Sequence, residues 1–363
     1  MYEKRTPAFG LILRPEAGTS IDTLDWMSPK VEIHIAISPT ESFFQQVHYL
    51  AVSLRHRGGR LREAPIIVTV GDDCEPYDVG RRVPWARHYP IEFRWVPRHL
   101  YQQHSYFATS VQRYGYAFKA PYVLLLDADL VVSRALDDLL ARAEAEPAVY
   151  AILAFGSPWG NSGLLHVRSD EDWWRVGFEE AGLGEPPFIC EYAGYGVLFT
   201  DYLHRCPPYF NQGVVLAPSA IMDAIGGAMY QEMEAANRTA RIFYRVQIAL
   251  TFAILRKKLP WRVLPIRYNY PPALTQFATE VPEEWADARI VHYSNTTKWF
   301  EKDRLMATPG AMEHWLTQAS QDPVEAYCRE LFRSLHREVE RGTPEPSFSK
   351  WIRGALRSLR IAQ

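Results

Sequence analysis

The chain has 363 residues, 47% hydrophobic and 23% charged, with a formal net charge of -2. This is an ordinary soluble composition with no global basic field to attract nucleic acid. The length exceeds what one small core holds, so one large or two merged domains are expected. The four cysteines, Cys74, Cys190, Cys206 and Cys328, are widely spaced and form no CxxC pair, which argues against a zinc ribbon or a disulfide framework and fits a reducing compartment. The N-terminal stretch has too short an apolar core for a signal peptide, and no apolar run approaches a bilayer span. The expected location is therefore cytoplasmic. Eleven Trp and twenty Tyr are a high aromatic load, which serves core packing or, more specifically, carbohydrate stacking.

Residues 1 to 30 have no clear period and read as a lead-in. In Val31 to Ser38, Val31, Ile33, Ile35 and Ile37 alternate with Glu32, His34 and Ala36, the period of a strand. His34 reads as a satisfied sheet residue. Ser38-Pro39-Thr40 is a turn and helix-start signal, and Phe43, Val47, Leu50, Ala51 and Leu54 mark one face of a helix that stops at Gly58-Gly59. Ala64 to Val70 is a second buried strand and Ile91 to Val96 a third candidate. Strand, helix and strand at this spacing make a βα unit of a parallel sheet. Residues 100 to 118 are aromatic and basic. Arg113 and Lys119 stand just before the next strand, able to reach phosphates or simply to lie on a solvated helix face.

Tyr122 to Asp129 reads YVLLLDAD. Its continuous apolar run is that of a strand buried on both faces, and it ends in two carboxylates. Asp127 and Asp129, two apart on extended chain, point the same way at the carboxyl edge of the sheet, where open α/β sheets bind ligands. Two such oxygens suit a hard divalent cation that also carries phosphate oxygens, although a plain strand-end turn uses Asp equally well. A helix is expected over Ser133 to Ala145 and a strand over Tyr150 to Phe155. Residues 156 to 208 show little periodicity. Such a long irregular stretch is usually functional. Trp159, Trp173 and Trp174 are placed there on the acceptor side of a cleft, with packing against the sheet as the alternative.

Tyr209-Phe210-Asn211-Gln212-Gly213 reads as a glycine turn feeding a short strand, Val214 to Leu216, with a helix from Pro218. Phe243 to Leu255 is apolar nearly all round, hence a buried helix, and it bears Gln247. A turn at Leu264 to Pro272 and a last short strand, Arg289 to Tyr293, follow, with His292 near its end and Lys298 beyond. From Asp322 the chain is helical to about Arg341.

Taken together, the βα start, the DAD strand, FNQG, the helix with Gln247, LPIRYN and HYSNTTKWF resemble the GT-A glycosyltransferases. The resemblance is more narrowly to the retaining family-8 group that includes galactosyltransferases and glycogenin. It spans roughly residues 31 to 300, and the His292-to-Lys298 separation matches the family's spacing. It implies an α/β GT-A, Rossmann-like fold with a mixed, mostly parallel sheet flanked by helices. The implied parse is a lead-in over 1–30, a catalytic domain over 31–320 and a C-terminal helical tail over 321–363. The implied activity is metal-dependent transfer of a sugar from a nucleotide-sugar donor, a UDP-sugar foremost, to a saccharide or other hydroxyl acceptor, with retention.

The resemblance also distributes roles. Asp127, Asp129 and His292 would bind Mn²⁺ or Mg²⁺. Ser38, Thr40, Ala128, Gly213 and Lys298 would border the donor, with Lys298 on the diphosphate. Asn211 and Gln247 would be catalytic, Gln247 lying beneath the donor's anomeric carbon. The chain departs from the family pattern at Val246 and Ile248, where acidic residues flank the helix glutamine, at Gln212, where a small residue is usual, and at Asn295, with the proline after Lys298 missing. A non-catalytic sugar or nucleotide-sugar binder of the same fold is the alternative. A sugar nucleotidyltransferase is weaker, because Ser38-Pro39-Thr40-Glu41 is not the glycine-rich basic loop it needs.

Lys350, Arg353, Arg357 and Arg360 recur on one side of a helix through the tail, and Ile352, Ala355, Leu356 and Leu359 on another. This is the pattern of a weak, peripheral membrane contact through residues 347–363, or of a short helix docked on the domain.

Overall fold

The structure is a computed structural model and describes residues 30–154, 156–159, 169–191, 205–272, 282–294, 299–308 and 310–342. Its strands are β1 (Val31–Ile37), β2 (Ile66–Val70), β3 (Ile91–Trp95), β4 (Tyr122–Leu126), β5 (Leu130–Val132), β6 (Val149–Leu153), β7 (Cys190–Glu191), β8 (Arg205–Cys206), β9 (Phe210–Pro218), β10 (Trp261–Val263) and β11 (Ile290–His292). The α-helices among the described residues are α1 (Glu41–Arg57), α2 (Val79–Arg82), α3 (Arg98–His104), α4 (Tyr106–Gln112), α5 (Asp137–Ala145), α6 (Asp170–Ala181), α7 (Ser219–Thr239), α8 (Arg245–Arg256), α9 (Pro282–Ala286), α10 (Lys302–Ala307), α11 (Ala311–Thr317) and α12 (Pro323–Gly342).

Seven strands form one sheet in the order β10-β6-β9-β4-β1-β2-β3. Neighbours are parallel except β9, which runs antiparallel between β4 and β6. This is the mixed, mostly parallel α/β sheet anticipated from the sequence. β4 lies near its middle and is buried on both faces. Val123 and Leu125 pack toward Met222, Ile225 and Leu250 on one side. Leu124 and Leu126 pack toward Phe44, Val47 and Leu139 on the other. That two-sided burial is why the run YVLLL has no polar alternation. On β1, Glu32 and His34 point inward together. The His34 Nε2 lies 2.9 Å from Glu32 Oε1, and the second carboxylate oxygen accepts from Lys119 and Ala120 N–H, so His34 is a sheet residue.

Several elements differ from the sequence reading. The helix expected from Ser133 begins at Asp137. Leu130–Val132 continues as β5 and pairs antiparallel with β11, and Ser133 is taken up by bonds to the Ala288 and Arg289 carbonyls. FNQG is not a turn but the first half of a nine-residue strand. The stretch read as irregular contains α6. Its start is capped by Ser169 Oγ accepting from Asp172 N–H, and Gly182 closes it at φ 63°, the left-handed position that favours glycine. Pro323–Gly342 packs Leu331, Phe332 and Leu335 in one cluster with Tyr49, Val131, Val291 and Tyr293, so this helix belongs to the body of the fold rather than standing apart from it. The lead-in before Lys30 and the basic segment 347–363 lie outside the described residues. Among the described residues no helix is long and apolar enough to cross a membrane.

Trp159, Trp173 and Trp174 are all buried. The Trp159 ring stacks on Trp173 at 5.4 Å and meets Trp174 edge-on at 5.3 Å, and Trp174 continues to Phe178 and Phe252. Their faces are used in packing, the alternative weighed above. Trp174→Ala is therefore expected to destabilise the fold by about 3–5 kcal/mol, because a large core ring leaves a cavity that its neighbours fill only partly. A urea titration followed by far-UV circular dichroism measures it, and a loss under about 1 kcal/mol would contradict the packing role.

Candidate active site

The site forms where three separate stretches of chain meet at the carboxyl edge of β4. Asp127, Ala128 and Asp129 make the step from β4 to β5. The backbone of Asp127 donates to the Gly213 carbonyl at 2.9 Å, extending the β4–β9 ladder into the turn. On the other side, β11 lies antiparallel to β5 with His292 opposite Leu130, and Tyr293 N–H donates to the Asp129 carbonyl at 3.1 Å. One carboxylate oxygen each from Asp127 and Asp129 and one ring nitrogen of His292 then lie within 4.8 Å of one another.

The imidazole is oriented by a relay of amides. His292 Nδ1 is 2.8 Å from Asn269 Oδ1, and Asn269 Nδ2 donates to Asn211 Oδ1 at 2.9 Å. The same Asn211 oxygen accepts from Gly213 N–H at 2.7 Å. With Nδ1 donating to an amide oxygen, Nε2 is the nitrogen turned to the carboxylates, 3.2 Å from Asp129 Oδ1. A β-carbon on Gly213 would sit 2.8 Å from Asn211 Oδ1 and 3.1 Å from both Asn269 Nδ2 and His292 Cε1, so the relay leaves room only for glycine there.

Charge is balanced internally. Burial by itself would raise the Asp129 carboxyl, but His292 and Lys302 beside it hold it well below the usual carboxylate range. Burial would lower the His292 imidazole, yet the charge and hydrogen bond of Asp129 raise it above its ordinary value. Lys302 Nζ stands 2.5 Å from Asp129 Oδ2. Arg113 is buried and donates to Asp127 Oδ1 at 3.3 Å, to the Leu126 carbonyl at 3.2 Å and to the Gln212 carbonyl at 3.3 Å. It is thus neither an exposed phosphate contact nor part of a solvated helix face, the two roles read from the sequence. It is the strut between β4 and β9. Lys119, by contrast, is exposed.

Two carboxylates and an imidazole nitrogen are a donor set that suits Mn²⁺ or Mg²⁺. The amide on Nδ1 is the supporting contact that metal-ligating histidines usually have, so the residues fit such an ion. A second acid–histidine group, Glu313, His336 and Glu340, lies on α11 and α12, and both its glutamates are exposed.

The other expected site residues are distributed as follows. Ser38 follows β1, the parallel neighbour of β4, and so lies at the same sheet edge. Thr40 caps α1, its Oγ1 accepting from Phe43 N–H at 3.3 Å. Ala128 is buried between the two aspartates. Gln247 lies in the first turn of α8, its Oε1 buried without a hydrogen-bond partner. That turn is tied to the site strand by Gln212, whose Nε2 donates to the Val246 carbonyl at 2.8 Å, which accounts for a long side chain within FNQG. Lys298 lies outside the described residues. Lys302 and Asn269 were not singled out in the sequence. Asn269 stood in the LPIRYN motif, whereas nothing local marks Lys302, whose contact depends on where α10 packs.

No protein-family model matches the sequence, and no curated protein matches it. Among solved structures, mouse xyloside xylosyltransferase 1 aligns at TM-score 0.45 and 13% identity over 74% of this chain and 98% of that one. The galactosyltransferase LgtC in complex with donor and acceptor sugar analogs aligns at TM-score 0.46 and 16% identity over 80% and 98%. The glycosyltransferase GlyE of Streptococcus pneumoniae TIGR4 aligns at TM-score 0.44 and 14% identity over 83% and 60%.

Proposed function

We propose that the chain is a metal-dependent glycosyltransferase of the GT-A type. It moves a sugar from a nucleotide-sugar donor, a UDP-sugar foremost, to a saccharide or other hydroxyl acceptor, with retention at the anomeric carbon. The observation that carries this reading is the meeting of Asp127, Asp129 and His292, with His292 locked by Asn269 and Asn211, at the ligand-binding edge of a doubly covered sheet.

In this reading Asp127, Asp129 and His292 hold Mn²⁺ or Mg²⁺, which when bound supplies Lewis-acid neutralisation of the charge growing on the leaving diphosphate. Asn269 and Asn211 keep His292 in one tautomer and one orientation. Gly213 borders the donor and leaves the room that the Asn211, Asn269 and His292 side chains fill, and Ala128, between the aspartates, borders the donor as well. Ser38 and Thr40 face the nucleoside, and Lys298 places a point charge on the diphosphate. Gln247 stands in the first turn of α8, which Gln212 ties to the site strand. Lodged beneath the anomeric carbon, it stabilises developing oxocarbenium character without a full nucleophile. Incubation with a panel of UDP-α-sugars and Mn²⁺ is expected to give an α-linked product, read from the anomeric proton coupling. An inverted product would refute the retaining assignment.

Because Trp159, Trp173 and Trp174 are buried, the acceptor needs another surface. Tyr106, Phe243 and Tyr244 are the large aromatic side chains left exposed among the described residues. Phe243 lies 6.2 Å from Tyr106 and 5.3 Å from Tyr244. Tyr244 immediately precedes α8, and its carbonyl accepts from Gln247 N–H at 3.0 Å. A pyranose ring stacks its C–H face on such a ledge. Phe243→Ala is expected to raise the acceptor KM by roughly tenfold, equivalent to about 1.4 kcal/mol, with donor affinity unchanged. An equal loss of donor affinity would show that the ledge does not serve the acceptor.

A further inference from the structure

Both carboxylate oxygens of Asp129 are already occupied by protein side chains, one of them the Lys302 ammonium. His292 Nε2 is 3.2 Å from Oδ1 and Lys302 Nζ is 2.5 Å from Oδ2. Asp127 is served separately, by Arg113. Lys302 is no loose surface lysine. Its side chain is only 12% exposed, and it opens α10, which is anchored by buried Leu305 and Met306 and by Ser42 Oγ donating to Asp303 Oδ1 at 3.1 Å. A divalent ion ligated by Asp129 and an ammonium seated on that same carboxylate compete directly, because two positive charges at this separation repel strongly in a site of low polarity.

We propose that Lys302 is an exchangeable counter-cation of the site. It yields Asp129 to the divalent ion and passes to the diphosphate that the ion brings with it. Lysine suits this task. Its ammonium is a compact point charge on a four-carbon stem, able to swing a few ångström with no bidentate geometry to break. Lys302 therefore opposes the metal when it arrives alone and favours the metal together with nucleotide, so the ion is retained only with substrate. This rests on the metal-dependent reading given above.

The test uses the full chain and two probes, Mn²⁺ and uridine diphosphate. Free Mn²⁺ is followed by its electron paramagnetic resonance signal, with circular dichroism confirming that each variant is folded. Lys302→Met keeps the apolar stem and removes the charge. It should bind Mn²⁺ about tenfold more tightly without nucleotide, while its affinity for uridine diphosphate at saturating Mn²⁺ falls about tenfold, both within the usual range of coupling between two ligands. Lys302→Arg should restore nucleotide affinity in part. A packing role alone would not move the two affinities in opposite directions. Unchanged or weaker Mn²⁺ binding in Lys302→Met, or unchanged nucleotide affinity, overturns the proposal. Asp129→Asn separates the two levels of inference. If it binds Mn²⁺ as the unaltered chain does, the metal reading itself fails. If it loses Mn²⁺ while Lys302→Met behaves like the unaltered chain, only the exchange fails.

Discussion

Chelation with EDTA should stop sugar transfer, and added Mn²⁺ should restore it. The effect is expected to be large, about 10³-fold in kcat, because a divalent ion contributes several kcal/mol of charge stabilisation that no neutral group replaces. Asp129→Asn should show the same loss without rescue by added ion. Asp129 is the better position to change, since it touches both His292 and Lys302. Neutralising it leaves the buried Lys302 ammonium without its carboxylate, which costs about 3–5 kcal/mol of stability. Turnover must therefore be compared at a temperature where circular dichroism shows both proteins folded. Full turnover in chelator, measured by donor consumption with the ion verified absent, would remove the metal from the mechanism.

The second large effect is expected at a residue with no side chain. Gly213→Ala places a methyl group 2.8 Å from Asn211 Oδ1 and 3.1 Å from Asn269 Nδ2 and His292 Cε1. The relay that orients His292 must then shift by a few tenths of an ångström or more. Small displacements of a positioned group can cost about 10²-fold in rate, and that loss of kcat is expected here. The fold should be little affected. The collision is with three polar side chains at the sheet edge and not with the core, so the thermal midpoint should stay close to that of the unaltered chain. A Gly213→Ala protein with normal kcat would mean that the relay is not part of the working geometry.

Much of the framework is legible in local sequence, because it depends on patterns a few residues long. β1 and α1 declare themselves by the period of their apolar residues, and β2 by its continuous apolar run. The Thr40 cap and the basic last turn of α1 mark its ends. YVLLL reads as a central strand because both its faces must be apolar. α6 was legible too. Ser169 with three acidic residues behind it and a closing Gly182 are ordinary end signals, but the adjacent Trp173 and Trp174 blurred the helical period.

The site itself was only half written in the sequence. Asp127 and Asp129 are chain neighbours, and a strand end alone puts them side by side. The rest depends on contacts between segments far apart in the chain, which no local period can encode. Lys302 reaches Asp129 across 173 positions, and Arg113 reaches Gln212 across 99. His292 joins only because β11 pairs with β5, and FNQG becomes strand rather than turn only because β4 and β6 stand ready on either side of it. Burial also divided the aromatic residues. Trp159, Trp173 and Trp174 close on one another inside the core, and Tyr106, Phe243 and Tyr244 stay at the surface. Both groups are large aromatic side chains, so the choice between core and ledge belongs to packing, which exists only once the chain has folded.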